Sequence, residues 1–189
     1  MMAGDINVRN VDGQTPLIYS IVKNRRVSYI RWLISHGARV NALTASTQFC
    51  GPNAGALHVA ASLCKSIETT LLLDVGANPN LRDGSGWPAI FYAVSRNLDS
   101  SVDVVKKLLE FGARVNTTDS EGVSPLLLSI IQQNYDCAWQ LLHAKADPNL
   151  SSEQHGSPIY QSVLQNAVRT LKQLLQYGAA VQYVDSTGA

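Results

Sequence analysis

The sequence predicts an all-α chain, a solenoid of stacked helix-loop-helix pairs with protruding hairpin loops. Three observations predict it. One short phrase returns at near-constant steps, a second phrase suited to opening helices falls between its copies, and each interval holds two short apolar segments. The first phrase is Gly37-Ala38-Arg39-Val40-Asn41, repeated from Gly76 to Asn80, Gly112 to Asn116, Lys145 to Asn149 and Gly178 to Gln182. Its first residues stand at 37, 76, 112, 145 and 178, so the steps are 39, 36, 33 and 33 residues. Two amphipathic segments in a period of about 33 residues mark a helical repeat array.

Five helical pairs are expected, near residues 15–36, 56–75, 88–111, 124–144 and 157–177. Thr15-Pro16, Ser124-Pro125 and Ser157-Pro158 each open a first helix. The hydroxyl accepts from an orphan backbone N–H, and proline sits where its missing N–H costs nothing. Paired leucines such as Leu108-Leu109 and Leu141-Leu142 mark the second helices. The glycine after them stops the helix, because glycine enters the left-handed conformation cheaply. The asparagine four residues later suits a turn, bonding its own backbone. One such unit cannot bury its own apolar face, but a stack of five can.

The chain has 189 residues, 46% of them apolar, which is enough for an ordinary core. Charged residues are only 15% and the formal net charge is +1, so no long-range field exists to grip nucleic acid or an acidic membrane. No apolar run reaches the 18 or so residues of a membrane helix, and Met1 to Asn10 contains no apolar signal region. Cys50, Cys64 and Cys137 are odd in number and lack CxxC spacing. They read as free thiols of a reducing compartment, the cytosol or nucleus.

The opening Asp119-Ser120-Glu121-Gly122-Val123-Ser124-Pro125-Leu126 resembles the ankyrin repeat, whose repeats begin D-x-x-G-x-T-P-L-H-x-A. Gly13 to Leu17 is similar to the same opening, and Leu57-His58-Val59-Ala60-Ala61 to its second half. The resemblance covers nearly the whole chain. It divides residues 1–189, read as a single domain, into repeats near 10–42, 43–81, 82–117, 118–150 and 151–183 with a partial repeat at 184–189. There are departures. An insert within Leu43 to Gly55 adds about six residues and is expected to form a long, mobile finger. About three more lie between the helices of the third repeat, around Asn97 to Ser101. Lys145 replaces a stop glycine, and Gln182 replaces a hairpin asparagine. Gly4 to Asn7 looks like the tail of a preceding hairpin and Asp185 to Gly188 like the start of another repeat. Arg169, Lys172, Gln173 and Gln176 give the last helix a polar face that partly caps the stack, yet a longer array, or an end packed on something else, is favoured.

No catalytic, cofactor or metal site is expected. His36, His58, His143 and His155 lack partners at metal-ligand spacing. His58 occupies the family's TPLH position, where the resemblance implies a structural role bonding neighbouring hairpins. His36 and His143 fall at helix ends. Cys64 and Cys137 are expected on helices as small buried hydrophobes, and Cys50 in the insert as the accessible thiol. The glycines recur at the repeat period and form no phosphate loop.

The resemblance implies a non-catalytic module that binds another protein or peptide through its concave face and hairpin tips. Nucleic acid, small-molecule substrates and direct membrane insertion are not expected. The candidate contacts at the tips are Gln14, Trp87, Glu121, Val123 and His155, with Val11 and Asp12 beside them. On the inner helices they are Lys23, Leu63, Arg96, Gln132 and Gln165. Trp87 is either a hot spot or folded onto a neighbouring loop. Trp32 and Trp139 are expected to pack beside the leucines of second helices. Lys23, Arg25, Arg26 and Arg31 are either a solvated helix end or a dock for an acidic peptide. An adaptor or scaffold is the leading reading. The alternatives are a regulator that covers an enzyme such as a kinase, a targeting part of a larger enzyme, and a modified-lysine reader using Trp87 and Tyr92.

Overall fold

In a computed structural model of the chain, residues 5–44 and 50–181 are described. The described residues contain ten α-helices in five pairs and no strands, only isolated bridges such as Leu43–Gly55 and Ser152–Gly156. The pairs are α1 (Pro16–Val22) and α2 (Val27–Ser35), α3 (Ala56–Ser62) and α4 (Ser66–Asp74), α5 (Ala89–Ser95) and α6 (Asp99–Glu110), α7 (Pro125–Ile131) and α8 (Tyr135–His143), and α9 (Pro158–Leu164) and α10 (Val168–Gln176). Each lies inside the range expected for it. The chain divides into two compact units, Met1–Arg114 and Val115–Ala189.

The helix starts follow the capping logic. Thr15, Ser124 and Ser157 each accept, through the side-chain hydroxyl, the amide three residues on. The second repeat has Gly55 at that place. There His58 Nδ1 accepts the Gly55 N–H at 3.0 Å, so a ring nitrogen takes up the chain entering the helix. The extra residues of the third repeat do not lengthen a loop. They extend α6 to 12 residues, against nine in each of the other second helices, which is close to one additional helical turn.

In the first unit α1, α3 and α5 pack side by side, as do α2, α4 and α6. In the second, α7 packs on α9 and α8 on α10. The core between the rows is apolar and closed: Ile21, Ala61, Val94 and Ile130, at one register of the first helices, are each 0% exposed. Burying each aliphatic side chain of that kind contributes about 1.5–3 kcal/mol.

The hairpin asparagines bond the following repeat rather than their own turn. Asn41 Nδ2 donates to Gly76 O at 3.1 Å and its Oδ1 accepts from Asn78 N at 2.9 Å. Asn80 makes the same pair with Gly112 O and Arg114 N, and Asn149 with Gly178 O and Ala180 N. Asn7 does so with Gly37 O and Arg39 N, which places a hairpin tail ahead of the first helix pair as the sequence suggested. Asn116 Oδ1 accepts from Asp147 N at 2.8 Å.

One further feature of the chain path differs from expectation. Cys64 is not helical; it sits in the turn after α3 with φ 52°, buried, its Sγ 3.2 Å from Ser101 Oγ. Asn24, Gln133 and Asn166 take the same left-handed turn in other repeats. The mobile finger expected within Leu43 to Gly55 falls partly on residues 45–49, which lie outside the described residues. Its flanks are fixed: Thr44 N and Oγ1 both donate to Ala54 O, and Gly84 N donates to Pro52 O at 2.6 Å. A Cβ on Gly84 would fall 2.7 Å from the Pro52 carbonyl oxygen, so this approach needs glycine.

Two stability predictions arise from these positions. Asn80→Ala removes a donor and an acceptor that join successive hairpins at a half-exposed site, and should cost about 1–2 kcal/mol in urea unfolding. Unchanged stability would mean that water replaces both bonds without loss. Lys145 takes the stop position at φ 63°, where Gly37, Gly76, Gly112 and Gly178 lie between 86° and 93°. A side chain costs roughly 1 kcal/mol there, partly offset because glycine gains freedom in the unfolded chain. Lys145→Gly should stabilise by about 0.5 kcal/mol in the same assay. Clear destabilisation would instead reveal a contact made by the lysine side chain.

Candidate partner-binding surface

Three hairpin tips are folded by one side chain each. Asn10 Oδ1 accepts the amides of Asp12 and Gln14, Asp83 Oδ1 those of Ser85 and Trp87, and Asp119 Oδ1 those of Glu121 and Val123. The residue two positions on is thereby left outside, and Asp12, Ser85 and Glu121 are exposed. The residue four positions on is drawn against the start of the following helix. For this reason Gln14 is only 8% exposed and Val123 only 3%, and neither is the surface contact the sequence suggested. Val11, at the extreme of the first tip, is fully exposed. The last tip is different. Ser152 and Gly156 exchange backbone bonds, and half-buried His155 gives its carbonyl to Gln161 Nε2 at 2.7 Å.

Lys23, Leu63, Arg96, Gln132 and Gln165 share one register, the residue just past each first helix. Lys23, Arg96 and Gln132 are exposed and Leu63 is half-buried. Lys23 Nζ lies 5.9 Å from the centre of the Tyr19 ring. Arg96 reaches Ser62 Oγ of the neighbouring repeat at 3.5 Å. Gln165 is committed to the fold: it donates to Ile131 O and accepts from Tyr135 Oη. A residue the sequence did not single out joins this edge. Lys65 Nζ donates to Asn24 Oδ1 at 2.5 Å and lies 3.8 Å from Glu68. The signal was its position beside Leu63 in the turn between the helices of a pair.

Trp87 folds down rather than projecting. Its ring centre is 5.3 Å from those of Phe91 and Tyr92, and it is half-buried. Tyr92 is buried, donates its hydroxyl to Asp83 Oδ2 and accepts from Gly51 N at 2.7 Å, which ties the insert to the third tip. Burial, first, and the bond to Asp83 raise its pKa above the ordinary value of 10. With Trp87 against it edge to face, the pair forms no open cage. Trp32 stacks on His36 at 4.1 Å and Trp139 packs edge-on to His143 at 4.7 Å, both in second helices; Trp32 is 50% exposed. Among the described residues, no three His, Cys, Asp or Glu side chains gather as a metal site would require.

The second unit carries a groove of about 780 Å³ along α9 and α10, lined by Tyr160, Val163, Leu171, Leu175 and Val181 among others. Register explains it. Leu127, Ile130 and Leu142 of the fourth repeat are 0% exposed under the fifth. Their counterparts Tyr160, Val163 and Leu175 are 43%, 60% and 43% exposed. The polar residues of α10 do not cover this face.

Family models agree with the architecture: one for ankyrin repeats in three copies matches residues 57–152 and 101–185, and one for a single ankyrin repeat matches 12–45. An ankyrin repeat protein of Fowlpox virus is 33% identical over 138 residues, 70% of this chain and 38% of its own length. The human neurogenic locus notch homolog protein 2 is 26% identical over 191 residues, 93% of this chain but 7% of that protein. The transient receptor potential channel pyrexia of Drosophila melanogaster is 31% identical over 124 residues, 64% and 13%. The chain thus spans well under half the length of each of these relatives.

His58 joins two hairpins as expected, with its tautomer set by its partners. Nδ1 accepts from Gly55, so Nε2 carries the hydrogen and donates to Leu81 O at 2.8 Å. Burial holds its pKa below the ordinary 6.5, outweighing the bond to Leu81 and the charge of Asp83. A lowered folded-state pKa means that the unfolded chain binds more protons below about pH 6.5. Stability from this residue is complete above that pH and is lost as pH falls through it. Urea unfolding at pH 7.5 and 5.5 should show that loss in the native chain and not in His58→Asn. Equal slopes in the two proteins would mean another group is responsible.

Proposed function

The chain belongs to the ankyrin-repeat family, whose repeats are protein–protein interaction modules, and from that premise we propose that it is a non-catalytic adaptor that holds a partner protein. The observation that carries this is the contrast at one register. Residues one turn earlier on the first helices, Ser20, Ala60, Ala93, Ser129 and Ser162, are small and 0–1% exposed. Past the helix, Lys23, Leu63 and Arg96 of the first unit differ in charge and size, and the backbone does not dictate them. Repeated buried positions carry the fold, and the varied positions at the rim supply the chemistry that recognition can use. In the second unit Glu121 and Gln132 have the same freedom, whereas Gln165 does not. The relatives are much longer proteins, which supports a role as one binding part of a larger assembly.

The test is affinity capture from native extract with the full chain as bait, read by quantitative mass spectrometry. Lys23→Ala/Arg96→Ala and Glu121→Ala/Gln132→Ala baits, each checked for native helicity, are run beside it. At least one captured protein should drop tenfold or more with one of the double variants. Identical captured sets from all three baits would overturn the adaptor reading.

A further inference from the structure

The turns between paired helices carry an uneven charge. In the first unit they hold Lys23, Arg25 and Arg26 after α1, Lys65 after α3 and Arg96 after α5. All but half-buried Lys65 are exposed. Contacts make the three turns one continuous edge: Lys65 bonds Asn24 of the first turn, and Arg96 reaches Ser62 at the end of α3. Two acids stand among these five cations. Glu68 is 8% exposed and faces Lys65; Asp99 opens α6. The matching turns of the second unit hold Gln132, Gln133 and Asn134, then Gln165, Asn166 and Ala167, with no charge at all. In a chain whose net charge is only +1, the concentration is local.

Spacing narrows what such an edge would recognise. Packed helices lie about 8–10 Å apart, so Lys23 and Arg96, two helices apart, stand on the order of 20 Å from each other. An extended peptide rises about 3.3 Å per residue and covers that in about six. Leu63 sits between them, half-buried and apolar. Building on the adaptor reading, we propose that this edge of the first unit binds an extended acidic segment of the partner, with carboxylates about six residues apart flanking an apolar side chain. The carboxylates pair with Arg96 at one end and with Lys23, Arg25 and Arg26 at the other. The apolar side chain rests on Leu63. Exposed pairs of this kind are screened by salt, so the recognition weakens as ionic strength rises.

The probe is a fluorescent ten-residue peptide with two glutamate pairs about six residues apart and a central leucine, titrated by anisotropy against the full chain. Lys23→Glu/Arg96→Glu should weaken binding at least tenfold, and raising NaCl from about 50 to 500 mM should do the same. Arg169→Glu, an exposed position on α10, should leave it unchanged. A lysine-for-glutamate peptide should not bind. No binding of the glutamate peptide at millimolar concentration, or binding indifferent to the double charge reversal, would overturn the proposal. The extract experiment separates the two readings. With Lys23→Glu/Arg96→Glu added as a fourth bait, a partner still captured by that chain but lost with Glu121→Ala/Gln132→Ala sinks the acidic-segment inference and keeps the adaptor.

Discussion

The architecture depends on how the backbone between repeats is satisfied. Where the chain leaves one helix pair and turns toward the next, it has left the helical ladder and entered no sheet. Its amides and carbonyls still need partners. Asparagine supplies both halves at once. Asn41, Asn80 and Asn149 each donate to the helix-stop carbonyl of the following repeat and accept the amide two residues beyond it. The amide side chain carries one acceptor and two donors on a short stem, so it reaches both backbone groups in one orientation. Each pair of bonds ties one hairpin to its neighbour.

The same economy of side chains decides which tip residues a partner can reach. An Asx side chain that gathers the amides two and four residues ahead closes the tip by itself. It also sorts the residues it closes around. Glu121 is turned to solvent, while Val123, two residues later, is delivered to the start of α7 and buried. In the third tip the Asp83 carboxylate goes further and accepts from Tyr92 through its second oxygen. Gly51, bonded to that hydroxyl, brings the insert onto the tip. The flanks of the insert are thereby tied to the repeat framework.

Much of this was legible in the sequence because helix ends are local events. Thr15-Pro16, Ser124-Pro125 and the stop glycines act within one turn of the backbone, so such residues, with the paired leucines, locate the helix pairs. Even Lys145 at a left-handed stop followed from register. What was not legible depends on groups far apart in sequence. Asparagine was read as bonding its own turn because its true partners lie some thirty residues on. The extra residues before Ser101 read as loop, since nothing nearby says they will wind into another turn of α6. Gln14 and Val123 looked dispensable because only the closed tip shows them turned inward. Lys65 gained meaning only when its amine met Asn24 of the preceding repeat.

At the end of each first helix of the first unit, three residues separate a small buried position from one at the rim. Ser20, Ala60, Ala93, Ser129 and Ser162 are small and buried, and the serines are so without an unpaired hydroxyl. Ser20, Ser129 and Ser162 each donate to a carbonyl of their own helix at 2.7 Å. Three residues later, at Lys23, Leu63 and Arg96, the helix has ended and the side chain emerges at the rim, where size and charge cost the stack little. Small buried residues on the first helices, with exposed side chains just past them at the rim, let the first unit present a charge pattern from repeat to repeat. The cations along the first unit are such a pattern. The uncharged turns of the second show that the repeat does not require it.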